Sequence, residues 1–175
     1  MEILRATPGD AGALTGISFA AKRYWGYPEQ WMERWRESLT ITPDFIRRNE
    51  VYVAVVEGEM VGFYALAGQG HKIELEHLWV TPEHIGMGVG RALFDHAVRR
   101  AGSLGAEILG IEADPNAEGF YRRMGARRVG ETSYPIDNQR RVLPLLVVDM
   151  RHPRAPQFNP AVRVLRTARR RRPPP

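Results

Sequence analysis

The chain has 175 residues, 43% of them hydrophobic and 26% charged, with no cysteine and a formal net charge of +5. That is enough for one domain with a real core, and it excludes disulfides, thiolate metal sites and any acyl-cysteine intermediate. The charge is uneven: from Arg151 onward there are eight arginines and no acid, which leaves residues 1–150 at −3, so a pI near 10.0 does not argue for nucleic-acid binding by the folded part.

The elements read as follows in chain order. A short strand over residues 2–6 is followed by the turn Thr7-Pro8-Gly9-Asp10, with Asp10 suited to cap a helix running to about residue 22. Tyr24-Trp25-Gly26-Tyr27 breaks that helix, and Pro28 suits the first position of a second one reaching about residue 38. Thr42-Pro43-Asp44 opens a third short helix to about residue 49. Strands are expected over 51–56 and 61–67, joined by a turn at 57–60, and over 73–80. A helix over 88–104 has Leu93, Phe94, Ala97, Val98 and Ala101 as its apolar face. A strand over 107–112, a short helix over 117–124 ended by Gly125, and strands over 126–132 and 142–150 complete the folded part. Hairpins mixed with strand–helix–strand units imply an α/β (α+β) domain over residues 1–150, with a mixed sheet flanked by helices. Residues 151–175, basic, rich in Arg and Pro and without periodicity, read as a disordered tail. The chain shows no apolar run long enough to cross a membrane and no basic-then-apolar leader, so the expected location is cytoplasmic.

Within the strand over 73–80 the apolar parity changes, from Ile73 and Leu75 to Leu78 and Val80. Either both faces are buried, or a bulge at Glu76-His77 shifts the register. The segment that follows is the most informative in the chain: Gly86, Gly88 and Gly90 alternate and run directly into a helix. Such a turn exposes backbone N–H groups at a helix N-terminus, where the dipole favours negative charge and a phosphate sits well. A Walker A loop is excluded, since Arg91-Ala92 follow Gly90 where Lys and Ser or Thr are needed. A dinucleotide fingerprint is excluded too, because its last glycine falls on Arg91 or Leu93.

The spacing G-x-G-x-G before Arg91-Ala92-Leu93 resembles the coenzyme A pyrophosphate loop of the GNAT superfamily of N-acetyltransferases. Three further segments agree in order: Glu74 to Pro82 before the loop, Ile108 to Asn116 after it, and Ala117-Glu118-Gly119-Phe120-Tyr121 leading to Gly125. The likeness is specific from about Val51 to Gly130, weak before it and absent from the tail. It implies a central mixed sheet of about seven strands with a splayed central pair, and acetyl-CoA as cosubstrate. On the resemblance, Leu78, Trp79 and Val80 border the acetyl-pantetheine arm. Ile85, Gly86, Met87, Gly88, Val89, Gly90 and Arg91 surround the pyrophosphate, and Asn116 and Tyr121 meet the arm. Two departures stand out. Ile85 replaces the usual Gln or Arg, which implies weakened coenzyme binding that Arg91 would offset, and Ala126 replaces a frequent Phe.

The implied reaction is direct attack by a primary amine of a small molecule or peptide on a thioester, without an acyl-enzyme. An alkyl amine has a pKa of ~10.4 and is protonated at neutral pH, so a base is required. Glu76, in mid-strand beside the expected gap, is the first candidate, with Glu74 and His77 in reserve. Tyr121 stands where the family often has a general acid; its phenol, at ~10 against ~8.5 for the thiol, makes full transfer uphill by roughly 2 kcal/mol in water. A strand carboxylate that is merely solvated and a tyrosine that merely packs are the structural alternatives. Trp25, Tyr27, Trp31 and Trp35 concentrate in the early helices. Aromatics at that spacing ordinarily form core; otherwise Trp25, Tyr27 and Trp31, with Glu76, wall an acceptor site, and the loop 134–141 closes over it. The five histidines form no metal motif, so no metal is expected. Competing readings are a non-catalytic acyl-CoA-binding module on the same fold, and nucleic-acid association through the tail, which lacks interleaved aromatics beyond Phe158 and is not expected to bind. A homodimer is expected only by analogy with the fold.

Overall fold

A computed structural model describes residues 1–151 and the backbone of Arg163–Val164. Strands β1 (Glu2–Arg5), β2 (Glu50–Val56), β3 (Glu59–Ala67), β4 (Lys72–Val80), β5 (Ile108–Glu112), β6 (Arg127–Ile136) and β7 (Gln139–Asp149) form one sheet, with Arg163–Val164 as a two-residue β8. The order is β6-β7-β5-β4-β3-β2-β1-β8. β4 runs parallel to β5 and β8 parallel to β1; the other pairs are antiparallel. The expected disordered tail otherwise lies outside the described residues. Among the described residues no helix is long and apolar enough to cross a membrane.

Helices cover both faces. α1 (Ala11–Arg23), α2 (Glu29–Arg34), α3 (Arg36–Leu39) and α4 (Pro43–Arg48) occupy the first connection, α5 (Val89–Ser103) the crossover from β4 to β5, and α6 (Glu118–Arg123) follows β5. One core lies under α5, where Leu93, Phe94, Ala97 and Ala101 meet Val61, Tyr64, Leu66, Leu109 and Leu146. A second holds Leu14 and Ile17 of α1 and Ile46 of α4 against Val51, Val53, Phe63 and Ala65. β3 is therefore buried on both faces, which is why its sequence is a continuous apolar run.

Several local expectations are corrected. Asp10 does not cap α1; its carboxylate instead accepts from the Thr7 N–H at 2.7 Å and the Thr7 hydroxyl at 2.8 Å, holding the preceding turn. The second helix is two pieces broken at Trp35, whose backbone lies at φ −89°, ψ 3°, and Pro28 precedes α2 with extended ψ rather than opening it. The β2–β3 turn is only Glu57-Gly58, since Glu59 already pairs with Val56. Both turn residues have positive φ, the two-residue hairpin geometry that matches strand twist. Residues 134–141 are no free loop: β6 and β7 pair to the tip at Ile136 and Gln139, leaving only Asp137-Asn138 as the turn.

Two irregularities prepare the site. Ala65 pairs with His77 and Leu66 with Leu75, so Glu76 is an extra residue, a bulge in β4. This resolves the parity change in favour of a bulge: Ile73, Leu75, Leu78 and Val80 all serve the core under α5, while Trp79 packs on the other side. Second, β4 and β5 pair only from Lys72 to Glu74 against Ile108 to Gly110. Beyond that point β4 stays with β3 and β5 with β7, and the two parallel strands part.

Candidate active site

The parted strands leave the edge of β4 facing β5 without a strand partner from Leu75 onward. Thr81 N–H donates to Val61 O at 2.9 Å, so Thr81 faces β3. Backbone groups alternate along an antiparallel strand, so Trp79 and His77 also face β3, and Leu78 and Val80 turn their N–H and C=O toward the gap. The glycine turn follows. Gly86 and Gly88 hold φ +83° and +86°, and a Cβ at either would meet no atom within 4 Å, so both backbones face open space. Gly88 precedes α5 with no side-chain cap. The first intrahelical bond at this end is Ala92 N–H to Gly88 O, which leaves the N–H groups of Gly88, Val89 and Gly90 without backbone partners among the described residues. Ile85 and Met87 are exposed beside this turn, Val89 is buried, and Arg91 is exposed in the first turn of α5. Anionic oxygens fit this N-terminus, and an extended amide-bearing arm fits the edge of β4.

At the bulge a cavity of about 420 Å³ opens between β4 and β5. Val129, Leu145 and Val147 are among its apolar lining, and Glu74, Glu76 and Glu112 supply three carboxylates. Lys72 pairs with Glu74 at 2.6 Å. Glu76 is exposed; partial burial and then the charges of Glu74 and Glu112 push its carboxyl above the ordinary range. Gly110 makes the crowding possible, because a Cβ there would sit 2.0 Å from Glu74 Oε2. A glycine inside a strand is the signal that would have found Glu74 as a lining residue.

Tyr121 is buried, its ring against Phe94 at 5.6 Å and Phe120 at 5.1 Å between centroids. Burial, and then the Asp114 charge, push its phenol well up. It therefore keeps its proton and is further from full proton transfer than a phenol in water. His77 accepts from Trp79 Nε1 at 3.1 Å and packs against Phe45 and Phe63; burial lowers it to about 4, which makes it a poor base.

The sequence reading missed the densest polar cluster. The Asp114 carboxylate, just after β5, accepts from Lys22 Nζ at 2.6 Å, Arg141 Nη2 at 2.9 Å, the Tyr27 hydroxyl at 2.9 Å and Asn116 N–H at 3.0 Å. The side chains of Lys22, Asp114 and Arg141 are 7%, 10% and 8% exposed. Burial pushes Asp114 up, but the Lys22 charge and hydrogen bonds outweigh it and hold the carboxyl low. Lys22 moves down, first from burial and further from Arg141, because two cations share one anion. Rings close the cluster: Trp35 lies 4.3 Å from Lys22 Nζ and 4.6 Å from Arg141 Cζ. Lys22 was detectable as a cation four residues after Ser18 on the buried stripe of α1.

The aromatic residues divide. Tyr27 stacks on Trp31 at 6.0 Å and meets Trp35 edge-on at 5.0 Å, all half-buried, and Trp31 Nε1 donates to Asp137 at the β6–β7 tip at 2.8 Å. Trp25 stands apart, exposed and against Tyr24 alone among these rings. Asn116, exposed, donates from Nδ2 to the Tyr27 hydroxyl at 3.0 Å.

Comparison with known proteins agrees with this geometry. The fold matches a GCN5-related N-acetyltransferase of Rhodopseudomonas palustris with a TM-score of 0.68 at 24% identity, over 84% of this chain and 94% of that one. It matches the PaiA N-acetyltransferase of Thermoplasma acidophilum, solved in complex with coenzyme A, with a TM-score of 0.65 at 19% identity, over 84% and 97%. In sequence the chain is 31% identical over 107 residues to the peptidyl-lysine N-acetyltransferase YjaB of Salmonella typhimurium, 61% of this chain and 68% of that protein. The profile of the acetyltransferase (GNAT) family matches residues 17–126. The chain is thus an acetyltransferase enzyme and belongs to the GNAT family.

Proposed function

We propose that the chain transfers an acetyl group from acetyl-CoA to a primary amine of a peptide or small molecule, by direct attack within a ternary complex. The observation that carries this reading is the uncapped N-terminus of α5, with its two left-handed glycines, beside a β4 edge that has lost its partner strand. The N–H groups of Gly88, Val89 and Gly90 would hold the pyrophosphate, with Gly86, Met87 and Arg91 around it. Leu78 and Val80 would pair with the pantetheine arm, Trp79 lying between them, and Asn116 would accept from it. Bound acetyl-CoA supplies an activated acyl group on a thiol leaving group. A protein-acetylating relative favours a peptidyl amine as acceptor.

The chain's own residues would do the rest. The carboxylates of Glu74, Glu76 and Glu112 draw a cationic amine into the cavity. Glu76, with its carboxyl raised toward neutrality, accepts the ammonium proton directly or through water, so that the free amine attacks the thioester carbon. Tyr121 donates a hydrogen bond to the sulfur as the carbon–sulfur bond breaks. The absence of cysteine supports direct attack over an acyl-cysteine route.

The test is titration with acetyl-CoA, then turnover on a panel of amines and lysine peptides. Micromolar binding and turnover are expected. In Glu76→Gln, kcat should fall by about 10²–10⁴, and the acid limb of the wild-type profile, set above the ordinary carboxylate range, should vanish. Binding without turnover of any amine would favour an acyl-CoA sensor, and no binding would end the reading.

A further inference from the structure

We propose that Tyr27 is a positioning residue for the acyl donor, acting through the side-chain amide of Asn116; the proposal rests on the acetyl-CoA reading above. A tyrosine hydroxyl has one proton and acceptor sites for two more. The proton of Tyr27 is committed, because its nearest acceptor is the Asp114 carboxylate, at 2.9 Å from Oδ1 and 3.1 Å from Oδ2. That carboxylate is an ion held by Lys22 and Arg141, so it accepts and never donates. Only lone pairs of the phenol oxygen remain for its other neighbours. Arg141 Nη2 takes one at 3.3 Å and Asn116 Nδ2 the other at 3.0 Å.

This fixes the Asn116 amide. Turned the other way, its carbonyl oxygen would face the phenol oxygen with no proton between them. The NH₂ group therefore points inward to Tyr27, and Oδ1 points out as an acceptor. The backbone is held by the same carboxylate, since Asp114 Oδ1 accepts from Asn116 N–H at 3.0 Å. A side chain that would otherwise turn freely at the surface is set in advance to accept an N–H, the group that the amides of a pantetheine arm present. On this proposal Tyr27 serves the donor, where the sequence reading offered it as core or as a wall of the acceptor site.

The experiment measures affinity for two probes in the full chain: coenzyme A, and adenosine 3′,5′-bisphosphate, which lacks the arm. Tyr27→Phe keeps the ring stacking and removes the hydroxyl alone. It should weaken coenzyme A by about five-fold and leave the bisphosphate within about two-fold. Asn116→Ala should do the same, and the double variant should bind no more weakly than Asn116→Ala, since both changes remove one interaction. Equal weakening of both probes in Tyr27→Phe, additive losses in the double variant, or unchanged coenzyme A affinity would each overturn the proposal while leaving the coenzyme reading intact. A wild-type chain that binds neither probe would remove the coenzyme reading and this proposal together.

Discussion

Acidification should destabilise this protein early, through two histidines, His96 in α5 and His77 in β4. His96 on α5 is buried, and its Nδ1 lies 2.6 Å from the Tyr64 hydroxyl. Tyr64 is pushed up by burial, so it keeps its proton, and the neutral His96 ring shares a hydrogen bond with it. Burial, then Arg99 and Arg100, lower His96 from 6.5 to about 4. His77 is lowered to about 4 by burial alone. The unfolded chain takes up these protons near pH 6.5, the folded chain only near 4. The stability they provide is complete above pH 6.5 and is lost as pH falls toward 4. By pH 4.5 the loss from His96 is about 2.5 kcal/mol, and from half-buried His77 about 2 kcal/mol. Together that approaches the whole stability of a marginal domain, about 5 kcal/mol. Raised carboxyls such as Glu76 and Asp95 act in the opposite sense and blunt the fall. Urea midpoints between pH 7 and 4.5 measure it. His96→Gln keeps an acceptor for Tyr64 but does not titrate, so its pH slope should shrink by about 2.5 kcal/mol. An unchanged slope, or a His96 ring that titrates near 6.5 in the folded protein, would refute the reasoning.

Two further outcomes follow from the backbone and from the buried ions. Gly88→Ala should cost about 1–2 kcal/mol, because φ is +86° while the new Cβ meets nothing, and it should weaken acetyl-CoA. Gly16→Ala, in α1 with equally open space and no positive φ, should instead stabilise by about 0.5–1 kcal/mol; thermal melts in which both shift the same way would contradict this. Asp114→Ala leaves Lys22 and Arg141 buried without their anion and should cost about 3–5 kcal/mol. Lys22→Met leaves a neutral Arg141–Asp114 pair and should cost less than about 2 kcal/mol; equal losses on denaturation would show that the shared carboxylate is not the controlling feature.

The glycine turn and the β2–β3 hairpin were legible because each is written within a few adjacent residues, whereas the β6–β7 hairpin reads as a loop in sequence. A parity change from Leu75 to Leu78 narrows the strand to a bulge or two buried faces, and alternate glycines before a helix point to left-handed backbone. The break at Trp35 was not legible, since nothing local forbids a helix there; the ring turns toward Lys22 and Arg141, contacts made across the fold. The Asp114 cluster was hidden for the same reason: Lys22 is 92 residues from Asp114, and Arg141 another 27 beyond. Asn116 was named on the resemblance as a contact of the pantetheine arm, but the hydroxyl that accepts from its amide, Tyr27, lies 89 residues upstream. Pairings over such separations are decided by topology.

The parted strands have a mechanical consequence. The sheet is two panels joined along β4 and β5 by only three residue pairs at one end. Toward the other end, Lys22 and Tyr27 belong to the connection packed on the β2–β4 panel, while Asp114 and Arg141 belong to the β5–β7 panel. A cross-brace of ions thus spans the mouth of the wedge. The spacing between panels is set by the protein's own chain, so on the proposed function an incoming arm would meet a gap already open. Little of its binding energy would then be needed to prise strands apart.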